Sequence, residues 1–488
     1  MKPNALNKIS AEPDICASGN TKTRTAGSKK EYYAPITDIS LENVKAAFGI
    51  ALHMHQPTIP AETDDIRSSA LISNLQYMME HQHIGDNHNA PVFMNCYSRI
   101  SDFIRELVSQ GKSPRVMLDY SGNLLWGLSQ MGEGSVLENL KLVTCDKKYH
   151  RNVEWLGTMW SHAVVPSTPV PDIKLHITAW QSQFASIFGK SALDRVKGFS
   201  APEMHLPIHP DLCFVYIKAL KECGYRWLMA QEHTVENLDG SPIRRPHIPH
   251  RLVARNSAGH AESIAVLIKT QGSDTKLVAQ MQPYYEAVSR GTEELGGKRI
   301  PPYVLQIADG ENGGVMMNEF PPMYLKVSNE LGTTGVVALN GTEYLELVQR
   351  TGVQEEDFLP IQPISQHRIW DHVNEFKPGS CDRAVEKIRE KDQGFNLDRG
   401  SWTNDKNWVK GYAGVLDPMN RLSAEFHRKF DAVKNPEKEN GYKEALLYLL
   451  LSQTSCFRYW GEGLWTEYAK EICRRGEESL KKDVLSKR

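Results

Sequence analysis

The chain has 488 residues, with 57 Lys plus Arg against 59 Asp plus Glu, a net charge of −2, and a hydrophobic content of 40%. These values exclude a fibrous or mostly disordered protein, and they give no broad electrostatic pull toward nucleic acid or an anionic membrane. A polar or neutral ligand is the expected partner, and the length allows one large barrel with an added region.

Taken in chain order, the first 30 residues are rich in Ser, Thr, Lys, Asn and Gly and lack the apolar stretch of a signal peptide. Such a composition does not repay the entropy of ordering, so residues 1–40 are expected as a loose tail. From about Asn43 short apolar runs alternate with amphipathic stretches. AAFGIALHM at 46–54, RVMLDYS at 115–121, VEWLGTMW at 153–160, VKGFS at 196–200, YRWLMAQ at 225–231, SIAVLIKT at 263–270, YVLQIAD at 303–309 and GVVALN at 335–340 read as strands. PVFMNCYSRISDFIRELVSQG, LHITAWQSQFASIFG and LCFVYIKALKECG between them read as helices. This alternation predicts an α/β fold with a parallel sheet, and the number of units predicts a TIM-like barrel over residues 41–375.

From about Leu422 the strands stop, and LSAEFHRKFDAV and YKEALLYLLLSQTSCFRYWGEGLWTEYAKEICRRGEESLKK show helical spacing. Residues 376–488 are therefore expected as a C-terminal helical region that completes the cleft. ALLYLLL at 445–451 is far shorter than the roughly 18 apolar residues of a membrane span. Eight scattered cysteines without a CxxC pair read as buried thiols, and a cytoplasmic location is the expectation.

Barrel enzymes assemble their sites at the C-terminal ends of the strands, and several of these strands end in polar residues. The first ends in His53, His55 and Gln56; others lead to Glu203, to Asp309 and Glu311, to His162, and to Gln231, Glu232 and His233. Asp119 reads as a strand-end cap. Two carboxylates from different strands are what glycoside cleavage requires, one to attack or activate water and one to protonate the leaving oxygen. Glu203 and Asp309 fit by position. Sugar faces can lie on aromatic rings, although most of the ten tryptophans are expected in the core.

HMHQP at 53–57, SAPEM at 200–204 and ADGENGG at 308–314, in this order, resemble the signature regions of glycoside hydrolase family 57. VEWLGTMWSHAVVPSTP at 153–169, GSWTND at 400–405 and SQTSCFRYWG at 452–461 extend the resemblance over about residues 46 to 470. It implies a distorted barrel of seven β/α units followed by a helical bundle, acting with retention on α-glucans or maltooligosaccharides. It assigns the nucleophile to Glu203 and the acid/base to Asp309, places His53, His55 and Gln56 against the bound sugar, points to Trp160, Trp402 and Trp460 as cleft aromatics because each falls inside one of these segments, and implies no cofactor or metal. A retaining pair is expected to lie roughly 5 to 5.5 Å apart. Two departures from the family pattern fall near the reacting sugar: Phe199, Ser200 and Ala201 precede Pro202 where Trp is common, and Asn312, Gly313 and Gly314 replace an aromatic.

Two other readings compete. His53 and His55 with His162 or His233 and Asp309 suit a zinc-dependent hydrolase of amides or acetyl groups. A catalytically silent glucan-binding protein could use the same barrel.

Overall fold

The computed structural model describes residues 13–16, 30–132, 134–270, 272, 274–401, 411–460 and 462–485. Seven parallel strands form its centre: β1 (Ala46–Met54), β2 (Val116–Tyr120), β3 (Val153–Gly157), β4 (Gly198–Ser200), β5 (Trp227–Gln231), β6 (Ala261–Lys269) and β7 (Tyr303–Asp309). Each pairs with the next, β7 returns to β1 over Tyr303–Asp309, and one bridge between Lys269 and Leu305 joins β6 to β7, so the sheet closes on itself. Every residue of β2, β3, β4 and β5 is buried. Strands covered on both faces need continuous apolar runs, which is why they read as runs and not as alternations.

The eighth expected strand exists as Val336–Ala338, but it is not a full barrel stave. It pairs with Ala46–Phe48 at the start of β1, while β2 pairs with Ala51–Met54 further along. Because β7 occupies the opposite edge of β1 throughout, these two strands share one seam. The barrel therefore has seven strands at its C-terminal mouth.

Helices Ala90–Ser109, Asp172–Phe188 and Pro210–Glu222 pack outside the sheet where the sequence places them. The C-terminal region supplies Ala413–Phe430, Tyr442–Ser452, Cys456–Tyr459 and Leu464–Leu485. Their apolar faces, through Leu422, Phe426, Leu450 and Phe457, belong to the same core as Ile173 and Ile177 of the barrel helix. Ala163 and Thr454 add a β-bridge between the strand-end loop after β3 and these helices. All eight cysteines are free, and only Cys145 is exposed. Among the described residues no helix is long and apolar enough to cross a membrane.

The loose tail expected over residues 1–40 needs correction. Ile15 and Cys16 lie in the main core, and the Glu346 carboxylate accepts the backbone N–H groups of Tyr32 at 2.9 Å and of Tyr33 and Ala34 at 2.8 Å. Composition hides this because a backbone clamp on a carboxylate needs no apolar side chain.

Candidate active site

Parallel register brings three polar residues level at the barrel mouth: His53 stands beside Asp309 on β7 and beside Asp119 on β2. The Nδ1 of His53 meets the Asp119 carboxylate at 2.9 Å. Asp119, read from sequence as a cap, is thus the counter-ion of His53, a role that no local pattern reveals. Burial alone would press the His53 imidazole down, but Asp119, then Asp309 and Glu311, hold its pKa up at about 9. His53 is therefore a cation at neutral pH.

Glu203 follows the three-residue β4 on a tight turn begun by Pro202. Both Glu203 (φ 57°) and Met204 (φ 49°) adopt the left-handed conformation. Such strain costs a non-glycine residue about 1 to 3 kcal/mol and accumulates where a side chain must be aimed. Here it directs Glu203 into the mouth, with its Oε1 3.9 Å from the His162 Nδ1.

The three imidazoles cluster around His162. His55 and His162 have ring centroids 4.4 Å apart and nearly parallel planes, and His53 lies 4.7 Å from His162. One charge serves all three. Burial, then the cation at His53, pushes His55 well below the ordinary imidazole value, and burial with both neighbours does the same to His162. Two neutral donors thus stand beside one imidazolium.

Glu311 accepts the backbone N–H of His55 at 2.5 Å and the amide of Gln56 at 3.2 Å. Burial, then the charge of Asp309, raises its pKa to about 8. Gln56 corrects the sequence reading: it is 4% exposed, its oxygen takes the Asn74 amide at 3.2 Å, and it holds Glu311 without lining the mouth.

These groups surround one hollow of about 350 Å³, lined by His53, His55, His162, Glu203, Asp309 and Glu311 with Cys456, Tyr459 and Trp460 from the C-terminal helices. Its size falls at the small end of ligand sites, which run from about 300 to 1,000 Å³. Trp460 is 46% exposed at its rim. Cys456 and Tyr459 were not singled out from the sequence; their place inside SQTSCFRYWG was the available signal.

Trp160 does not reach the hollow. It is fully buried, donates its indole N–H to Gln183 at 2.5 Å, and lies so close to Gly122 that a Cβ there would sit 2.2 Å from the ring. It is core, which the strand-end position alone does not distinguish. Trp402 lies outside the described residues. Gln231 accepts from Lys269 at 2.7 Å and His233 meets the Ser401 carbonyl at 2.9 Å, so both serve the scaffold. Asp274 caps the helix Thr275–Ala279 that follows it.

The zinc reading requires imidazole nitrogens to converge. The Nδ1 atoms of His53, His55 and His162 face Asp119, Ser121 and Ser455, a pattern that by itself is neutral on metal binding through Nε2. Among the described residues the ligand atoms that do converge are those of His209, Asp211 and Asp382, none of which lines the hollow.

No family model matches the chain, and no curated protein matches its sequence. Solved structures do match the fold. The 4-alpha-glucanotransferase from Thermococcus litoralis superposes with a TM-score of 0.53 at 14% identity, over 90% of this chain and 59% of that one. A GH57 branching enzyme from Thermococcus kodakaraensis gives 0.50 at 12% identity over 90% and 89% of the two chains. The alpha-amylase AmyC from Thermotoga maritima gives 0.50 at 10% identity over 90% and 92%. The chain is similar to these enzymes in architecture, a seven-stranded barrel with C-terminal helices. It spans only 59% of the glucanotransferase's length.

Proposed function

We propose that this protein cleaves or transfers α-glucosidic bonds with retention, using Glu203 as nucleophile and Asp309 as acid/base. The observation that carries the reading is that side chains from the non-adjacent strands β4 and β7 open onto one sugar-sized hollow beside the stacked imidazoles. Its architectural likeness to a glucanotransferase, a branching enzyme and an amylase agrees with it.

In the first step an oxygen of Glu203 bonds to the anomeric carbon while the proton of Asp309 goes to the departing glycosidic oxygen. In the second, water or a sugar hydroxyl gives its proton to Asp309 and attacks the same carbon, releasing Glu203. The His53 imidazolium supplies a fixed positive charge beside the reacting carboxylates, and the neutral imidazoles donate hydrogen bonds to sugar hydroxyls. Glu311, neutral below about pH 8, adds no negative charge beside the reacting pair. Trp460 offers an apolar face to a sugar at the rim.

The test is product analysis with maltooligosaccharides and amylose by the wild type and by Glu203→Gln. Shortened or redistributed chains whose newly formed anomer is α, absent with the variant, support the reading. Unchanged substrate with both proteins overturns it in favour of a glucan-binding protein.

A further inference from the structure

Hydrogen bonds that link the C-terminal helix to the imidazole stack leave a question of direction. Ser121 Oγ lies 2.7 Å from His55 Nδ1, and His55 Nε2 lies 3.4 Å from Cys456 Sγ. Cys456 Sγ lies 3.8 Å from the Tyr459 hydroxyl, which is 3.3 Å from Ser455 Oγ. Ser455 Oγ lies 2.6 Å from His162 Nδ1. The chain runs from the cap of the helix after β2, through the C-terminal segment, to the imidazole beside Glu203.

Its direction is decided at the first link. Ser121 is fully buried, and its oxygen already accepts the backbone N–H of Leu124 at 3.2 Å. Its hydroxyl proton finds one acceptor among the described residues, the Nδ1 of His55; in the opposite sense that proton is stranded in the interior, which native structures avoid. With Ser121 donating, a neutral His55 carries its proton on Nε2 and gives it to the Cys456 sulfur. Continued in the same sense, the chain has the thiol donating to Tyr459, the phenol to Ser455, and the Ser455 hydroxyl to His162 Nδ1. Glu203, at 3.9 Å, lies beyond hydrogen-bond range of that same nitrogen. The proton of His162 is left on Nε2, which meets no protein group among the described residues, on a ring that lines the hollow.

We propose that Ser455, Cys456 and Tyr459 are positioning residues that fix His162 as a neutral Nε2–H donor aimed at a sugar hydroxyl beside Glu203. The C-terminal helix is then a working wall of the site, because it sets which nitrogen of a barrel histidine carries the proton. The left-handed backbone of His162 (φ 59°) holds the ring in the stack while the chain sets its tautomer. Charged and titratable groups around that ring are His53, His55 and Glu203, with Cys456 and Tyr459 on the C-terminal side. The substrate contact rests on the glucan reading above; the tautomer does not.

The tautomer is read directly from long-range proton–nitrogen spectra of full-length protein labelled at histidine nitrogen, with the His162 signals assigned by their loss in His162→Gln. The wild type is expected to show His162 neutral and protonated on Nε2 from the ordinary imidazole value of 6.5 upward to about pH 8. Ser455→Ala and Cys456→Val shift it toward the Nδ1–H form or a mixture, whereas Cys456→Ser, which keeps a donor and an acceptor, preserves the wild-type pattern. A wild-type His162 that carries its proton on Nδ1, or that titrates within that range, overturns the proposal. On maltooligosaccharides, Ser455→Ala lowers kcat/KM by roughly a hundredfold, the cost of misdirecting one donor. An Nε2–H signal in a protein that leaves glucans untouched overturns the glucan reading and leaves the directed chain standing. A normal kcat/KM in Ser455→Ala despite a switched tautomer overturns the functional half of the proposal alone.

Discussion

Asp309 stands opposite His53 in the register between the last barrel strand and the first, and Asp119 stands at the same level on the other side. One imidazolium thus lies between two aspartates, one bonded to it and the other exposed at the mouth where the chemistry is proposed.

The His53–Asp119 pair makes stability depend on alkaline pH. The folded pKa of His53, about 9, exceeds its ordinary 6.5, so the stabilisation is complete below about pH 6.5 and is lost as the pH rises through 9. Asp119→Asn is expected to be less stable than the wild type near neutrality by roughly 1 to 3 kcal/mol, with the gap closing above about pH 9. Urea unfolding at several pH values measures both.

Glu311 has the opposite chemistry and the same sign. Its folded pKa of about 8 exceeds the ordinary 4.5, so the folded state holds this proton more tightly and stability falls as the pH rises from about 4.5 to 8. Glu311→Gln, neutral at every pH, is expected to flatten that fall by roughly 1 to 3 kcal/mol. It also surrenders one of the two acceptor contacts, to the His55 N–H or to Gln56, so its stability at low pH should lie below the wild type. Thermal unfolding across that range, compared between the two proteins, tests the slope.

Trp160 and Trp460 separate packing from binding. Trp160→Phe removes a buried N–H bond to Gln183 and leaves a void, which costs about 2 kcal/mol, and KM is expected to be unchanged. Trp460→Ala is expected to raise KM for maltooligosaccharides roughly three- to tenfold with little change in unfolding. Equal effects of both substitutions on KM count against the assignment of Trp160 to the core.

What the sequence revealed follows from the range of the forces involved. The barrel strands were legible because their burial on both faces demands apolar runs, and YVLQIAD at 303–309 and AAFGIALHM at 46–54 match the observed strands residue for residue. Glu203, Asp309, His53, His55, His162 and Glu311 could be placed around the hollow because strand ends point to the mouth, and Trp460 through its place in the family-like segment at 452–461. Gln56 and Trp160 were misread since neighbouring positions at a strand end can turn either outward or into the scaffold. Asp119 and Ser455 were not legible as site residues, because contacts such as Asp119 to His53 and Ser455 to His162 join segments 66 and 293 residues apart. The packed segment at residues 32–34 was missed for the same reason: its partner, Glu346, lies more than 300 residues away.

The C-terminal helices are held to the barrel by a polar clamp whose strength depends on pH. His427 on Ala413–Phe430 meets Asp172 of the barrel helix at 2.6 Å through Nε2 and Asp431 at 2.7 Å through Nδ1. Two carboxylate partners require both nitrogens to donate, so the ring is an imidazolium. The other oxygen of Asp172 accepts the Gln453 amide at 2.6 Å, and Gln453 in turn meets His176 at 2.9 Å. Burial opposes the charge on His427, but the bonds to Asp172 and Asp431 outweigh it and raise the pKa above 6.5. The clamp is therefore fully made below about pH 6.5 and weakens as the pH rises through the folded value. Among the described residues, removing the imidazole leaves the fully buried Asp172 with only the Gln453 amide for its charge. A break in a buried pair costs about 3 to 5 kcal/mol, but Asp431 and one edge of the ring face solvent, which reduces the expected loss for His427→Gln to roughly 2 kcal/mol. That loss is expected near pH 6 and should shrink in alkaline buffer. Denaturant titrations of the full chain at both pH values, followed by far-ultraviolet circular dichroism, decide it: a loss that stays constant with pH means that the ring holds the interface as a neutral spacer and not as a cation.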